Sequence, residues 1–275
     1  MQLIDIGANL THESFQHDYP AVLEAARAAQ VAHIILTGTD LASSEAAAQL
    51  ATTDPTMLSS TVGFHPHIAD SVTSADFEQA AQLAARDRVV AVGETGLDFN
   101  RNFSSGKAQL SVFEQHLELA VALHKPLFLH QRDAHEQFLP LLRRYRDRLV
   151  GGVVHCFTDS ERALRDYLDL DMYIGITGWV CDERRGQELQ QIVHLIPDQR
   201  LLIETDAPYL MPRTLRPKPK SRRNEPRYLP AVLDTLASCR QQPQASLAAL
   251  TTANARRLFG LPGAQHLDHD NPTSG

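Results

Sequence analysis

At 275 residues the chain can bury a large core, as one α/β barrel or as two smaller domains. Its apolar and charged fractions, 43% and 21%, exclude fold-wide disorder. A net charge of -7, from 26 Lys+Arg against 33 Asp+Glu, excludes a generally basic surface, so any polyanion must be held by a local patch.

The predicted elements alternate. A first short strand, Leu3–Gly7, is followed by an Ala-rich helix at Ala21–Ala29. Strand Val31–Thr37 precedes helix Leu41–Thr52, with Ser43 or Ser44 available as its cap. Strand Met57–Gly63 runs into Phe64-His65-Pro66-His67 and is followed by helix Ser74–Arg86. Strand Val89–Gly93 ends on Glu94 before the long helix Lys107–His124. Strand Pro126–Leu129 ends on His130, and helix Asp133–Leu149 follows. Strand Gly152–Val154 ends on His155 and leads to helix Asp159–Leu170, capped by Asp159 or Ser160. Strand Met172–Ile176 precedes helix Glu183–Leu195, and strand Leu201–Ile203 ends at Glu204-Thr205-Asp206. Helices Leu229–Arg240 and Ser246–Leu258 close the chain, and the polar segment 262–275 is expected to be a disordered tail.

Eight strand–helix repeats with short connections describe one (β/α)8 barrel over residues 1–261. An open doubly wound sheet is the alternative, but no GxGxxG follows the first strand. The cysteines Cys156, Cys181 and Cys239 form neither a CxxC pair nor a disulfide framework. No leader-like segment and no run near the ~18 residues of a membrane span is seen, so a monomeric cytoplasmic protein is expected.

In a barrel, residues at the C-terminal strand ends converge on one face. Here those ends supply Asp5, Asn9, His65, His67, Glu94, His130, His155, Glu204 and Asp206. Imidazole and carboxylate donors without cysteine suit Mg, Mn or Zn, which can polarise a phosphoryl or carbonyl oxygen and activate water. Asp206, two residues beyond Glu204, is the candidate general base. The stretch from Pro212 to Arg223 carries six cations and no acid. It follows the last strand, where barrels often bind phosphate. Arg101, Arg132, Arg184 and Arg185 also follow strand ends and could hold a phosphate backbone. Of the nearby aromatics, Phe64, Phe99, Phe157, Trp179 and Tyr209 either stack bases or wall the pocket.

The segments Gly63–His67, Gly93–Asp98, Leu129–Ala134, Val154–Thr158 and Ile203–Tyr209 resemble the TatD-type metal-dependent deoxyribonucleases, from Ile4 to about Gly260. Asp98–Phe103, Tyr173–Gly186 and Ser221–Pro226 narrow the resemblance to one branch of that family. The resemblance implies a (β/α)8 barrel and a divalent cation, with Mg favoured over Mn or Zn. For that branch it implies a 3′→5′ exonuclease preferring single-stranded DNA and RNA, linked to DNA repair. By motif position, Glu94, His130 and His155 would be metal ligands, Asp206 a ligand or the base, and His65 and Glu204 would line the site. Where many relatives carry His-x-His at the end of the first strand, this chain has Gly7 and Asn9, which leaves the number of metals open.

The reading is therefore metal-assisted phosphodiester hydrolysis. Asp206, His65 and Glu204 are its catalytic candidates, Glu94, His130, His155 and Asp206 the metal ligands, and Arg101, Arg132, Arg222 and Arg223 the substrate contacts. The alternatives are a metal hydrolase of a small ester or amide on the same barrel, and a metal-free nucleic-acid-binding module.

Overall fold

The computed structural model describes residues 1–263; the expected disordered tail lies outside them but for its first two residues. Eight strands run β1 Leu3–Ala8, β2 Val31–Leu36, β3 Leu58–Val62, β4 Val89–Asp98, β5 Leu127–Arg132, β6 Gly152–Val154, β7 Tyr173–Ile176 and β8 Leu201–Ile203. The helices between and after them are α1 Tyr19–Ala28, α2 Leu41–Ala51, α3 Ser74–Ala84, α4 Gly106–Leu123, α5 His135–Tyr145, α6 Glu161–Asp169, α7 Gln187–Ile192, α8 Leu229–Arg240 and α9 Gln244–Phe259. Every neighbouring strand pair from β1 to β8 is parallel and in sequence order. The Ala8–Ala207 bridge closes the ring into a (β/α)8 barrel.

The strands bury both faces, which is why they read as short apolar runs rather than alternating ones. Side chains at Ile4, Ile6, Ile35, Phe128, Val153, Tyr173 and Leu202 form one buried cluster with Phe259 at the end of α9 and Leu261 just beyond it. Their neighbours along the strands, such as Leu3, Ile34, Leu127, Val154, Ile174 and Leu201, join the layer beneath the helices. Among the described residues no helix is long and apolar enough to cross a membrane.

Local capping differs from expectation in one place. Asp40, not Ser43 or Ser44, caps α2: its carboxylate accepts the Ser43 amide at 2.6 Å, and Ser43 Oγ closes the box on the Asp40 amide at 3.0 Å. Ser160 caps α6. The shorter α7 has a similar cause: Asp182 accepts the amides of Arg184 and Arg185, so Glu183–Arg185 form a turn before the helix.

The largest departure is β4. It does not stop at Gly93 but pairs with β5 as far as Asp98–Arg132. Gly93 and Gly96 have φ of 141° and 145°, and a Cβ at Gly96 would run into the His130 carbonyl. Glycine thus lets β4 approach β5 closely, carrying both Glu94 and Asp98 toward His130. The buried amide of Gln109 on α4 holds that extension: its Oε1 accepts the Asp98 amide at 2.8 Å and its Nε2 donates to the Asp98 and Ser104 carbonyls.

Candidate active site

A cleft of about 700 Å³ opens at the C-terminal ends of the strands, lined by residues that include Asn9, His65, Glu94, Asp98, His130, His155 and Asp206. At its floor lies the buried Glu94 carboxylate. His155 Nε2 lies 2.8 Å from Glu94 Oε1, His130 Nδ1 3.0 Å and His65 Nε2 3.4 Å. Four strand ends thus converge on one oxygen. Burial alone would raise the Glu94 pKa, but the imidazoles, through charge and through the hydrogen bonds of His130 and His155, hold it well below the usual carboxylate range.

The three imidazoles are held differently. His130 Nε2 faces Asp98 Oδ2 at 3.2 Å, so a carboxylate orients the ring from behind, and bonds to Asp98 and Glu94 outweigh burial and raise its pKa. His155 is turned by the buried Glu204, whose Oε2 lies 3.5 Å from Nδ1; Glu94 and Glu204 together raise the His155 pKa well above its ordinary value. His65 Nδ1 accepts the His67 amide at 3.1 Å. A neutral His65 must then carry its proton on Nε2, the nitrogen that faces the cleft, and acts there as a donor.

Asp206 follows β8 at the cleft wall. Asn9 Nδ2 donates to its Oδ1 at 3.1 Å and to the Ala207 carbonyl at 3.2 Å. Asn9 therefore orients Asp206 by its amide nitrogen, rather than offering an amide oxygen. Burial, with Glu94 and Glu204 nearby, pushes the Asp206 pKa up to about 8 against the opposing pull of His155. Behind it, buried Asp5 accepts the Thr205 amide at 2.9 Å, with Thr205 Oγ1 donating to the second oxygen, which fixes the residue between Glu204 and Asp206.

These residues fit a divalent cation. His65, Glu94 and His130 can each present a donor atom within 4.8 Å of the others. Glu94, Asp98, Glu204 and Asp206 gather four carboxyl groups at the strand ends, whereas the cleft's cationic side chains, Arg101, Arg132 and Arg185, are all exposed. A nitrogen and oxygen donor set with excess carboxylate selects a hard or borderline cation. His155 Nε2, 2.8 Å from Glu94 Oε1, stands next to the group of His65, Glu94 and His130.

The expected substrate contacts divide. Arg101 and Arg132 are exposed, line the cleft, and have no acidic partner among the described residues. Arg222 is exposed but away from the cleft wall. Arg223 is different: it bonds Asp18 at 2.9 and 2.7 Å and Glu225 at 2.9 Å, and lies 4.7 Å over the Phe15 ring. Its guanidinium is already neutralised, so it anchors the loop after β8 to the start of α1 instead of offering a phosphate contact. Arg213 is likewise paired with Glu183. Asp98 is absent from the strand-end residues expected to converge, and His67 stands among them without a role, yet His67 Nε2 lies 2.9 Å from Asp98 Oδ2. The signal was present in Gly93–Asp98, where a carboxylate recurs four residues after Glu94.

The sequence matches the family described as TatD related DNase over residues 4–260. The chain belongs to that family. A 3′-5′ ssDNA/RNA exonuclease TatD from Klebsiella pneumoniae (strain 342) is 50% identical over 94% of this chain and 98% of its own. Its counterpart from Escherichia coli (strain K12) is 48% identical over 94% and 99%. Among solved structures, a TatD homolog from Escherichia coli K12 superposes with a TM-score of 0.85 at 28% identity, covering 94% of this chain and 98% of that one. A TatD family hydrolase from Entamoeba histolytica gives 0.86 at 27% identity with the same coverage. This TatD-family barrel keeps its cleft at the end of the strands where (β/α)8 enzymes place their chemistry.

Proposed function

We propose that this protein is a Mg-dependent 3′→5′ exonuclease that hydrolyses phosphodiester bonds of single-stranded DNA, and of RNA, in DNA repair. The observation that carries the reading is Glu94 ringed by imidazoles from three other strand ends, beside Asp206, under a rim bearing the unpaired Arg101 and Arg132. The relatives named as single-strand exonucleases are about half identical over nearly their whole length, which supports the substrate class. Free thiols at Cys156, Cys181 and Cys239 suit a reducing cytosol, and a single chain already contains every residue invoked.

The division of labour follows the chemistry of each group. Held by Glu94, His130 and His155, a divalent cation would polarise the scissile phosphate and lower the pKa of water. Asp206, which a cation bound beside it would draw from its raised pKa back to the carboxylate form, accepts the proton of the attacking water, aimed by Asn9. The Nε2 proton of His65 donates to a phosphate or leaving oxygen. Asp98 and Glu204 hold the rings of His130 and His155 in place. Arg101 and Arg132 bind neighbouring phosphates.

The deciding experiment is a time course on end-labelled single-stranded and duplex oligonucleotides with Mg, Mn, Zn or chelator. A ladder shortening from the 3′ end of the single strand, absent with chelator, is expected. Failure to release nucleotides under any of these conditions would overturn the reading.

A further inference from the structure

Large apolar side chains exposed among the described residues are Met1, Phe103, Val150 and Tyr209. One exposed aromatic is ordinary on a protein surface. Here both exposed aromatics are tied to the same cleft, one by lining it and one through a residue that does. Tyr209, 52% exposed, lines the cleft just after Asp206. Phe103, 66% exposed, packs edge-on against the His67 ring with centroids 4.8 Å apart. One follows β8 and the other follows β4, four strands apart in a ring of eight, and the His67 ring that Phe103 packs on lines the same cleft as Tyr209.

Both rings are carried on fixed backbone. The Tyr209 amide donates to the Asp206 carbonyl at 3.0 Å, and Asn224 Nδ2 donates to the Tyr209 carbonyl at 2.7 Å. Next to Phe103, Ser104 Oγ donates to the His67 carbonyl at 2.8 Å. The other aromatics at the strand ends are committed elsewhere. Phe64 and Phe157 are each 2% exposed in the core, Phe99 packs against it, and Trp179 is covered by the Arg185 guanidinium at 4.3 Å.

Resting on the phosphodiesterase reading above, we propose that Phe103 and Tyr209 are base-stacking platforms that each take one unpaired nucleobase while Arg101 and Arg132 hold the phosphates between. Aromatic faces beside backbone-binding cations are the chemistry that recognises single-stranded nucleic acid. In a duplex the base faces are already stacked on one another, so the platforms reward only an unpaired strand. They are the specificity-determining residues for single strands, and they work with any base because every base has a π-face.

The test uses the full-length protein in Mg²⁺ with Asp206→Asn as background, so that the strand stays intact. Fluorescence anisotropy is read on a labelled oligothymidylate and on an abasic strand of the same length. Phe103→Ala and Tyr209→Ala should each weaken binding to oligothymidylate about tenfold, within the range for loss of one stacked base. Neither should alter binding to the abasic strand, which the Asp206→Asn protein itself binds more weakly. Phe103→Tyr and Tyr209→Phe, which keep the rings, should restore affinity. Unchanged affinity for oligothymidylate in both alanine variants overturns the proposal, and so does an equal loss on the abasic strand. Ring-dependent binding in this background, with no cleavage by the unsubstituted protein under any cation, would instead defeat the nuclease reading and leave the platforms standing.

Discussion

Glu204 occupies the room that Gly7 leaves: a Cβ at Gly7 would lie 2.7 Å from Glu204 Oε2 and 2.8 Å from the tip of the Phe128 ring. Gly7 is thus the space in which a buried carboxylate sits, and a histidine at that position has nowhere to go. Gly7→Ala should destabilise the fold by ~1–3 kcal/mol, the usual cost of overpacking, and lower turnover by displacing Glu204 from His155. Urea unfolding and initial rates check this; an unchanged midpoint with an unchanged rate would contradict it.

Asp206→Asn keeps the shape of the side chain but removes the proposed base. Oligonucleotide affinity should stay within about twofold, while single-turnover cleavage falls by ~10²–10⁴-fold, the usual share of general base catalysis. Cleavage at the native rate would remove Asp206 from that role.

Asp98 bonds both His67 and His130 through one oxygen and the Asn100 and Arg101 amides through the other. Asp98→Ala should cost ~10–100-fold in cation affinity or rate, as loss of a partner behind a ligating histidine does. Titration calorimetry with Mg or Mn reads the first, and a rate at saturating cation the second.

Removing charge at Arg101 or Arg132 should weaken oligonucleotide binding and lower the slope of log K against log salt by ~0.7 per lost single-strand phosphate contact, while sparing hydrolysis of a small phosphodiester. Arg223→Gln should do the reverse, lowering the unfolding midpoint through loss of the Asp18 and Glu225 pairs with little change in salt slope.

His33 and His116 are buried and neutral, both with pKa lowered to about 4 chiefly by desolvation. His116 Nδ1 donates to the Val112 carbonyl and Nε2 accepts the Phe64 amide, an arrangement that only the neutral ring can make. Between about pH 6.5 and 4 the unfolded chain binds protons that the folded chain refuses, so stability falls as pH falls through that window. Urea midpoints at pH 7 and pH 5 should drop less in His116→Gln than in the unsubstituted protein; parallel drops would contradict the assignment.

The barrel and its strand-end cluster were legible because buried parallel strands leave short apolar runs and their ends leave polar residues at regular spacing. The continuation of β4 was not, since Gly93-Glu94-Thr95-Gly96 has the composition of a loop and becomes strand only through pairing with β5. Nor could periodicity reveal that Arg223 meets Asp18 across 205 positions, or that Asn9 meets Asp206 across 197. Gly7 read as a missing ligand because a sequence records the side chain that is absent and not the neighbour that fills its place.

The closing bridge between Ala8 and Ala207 has a mechanical consequence. The ring is fastened there by the Asn9 amide on the Ala207 carbonyl at 2.7 Å and the Asp206 amide on the Gly7 carbonyl at 2.8 Å. The clasp that shuts the cylinder and the group proposed to take the proton are therefore neighbouring links of one chain. Any breathing that unzips the first and last strands disarms the enzyme while the other seven strand pairings stay intact. Heat or denaturant should silence catalysis before it erases helicity.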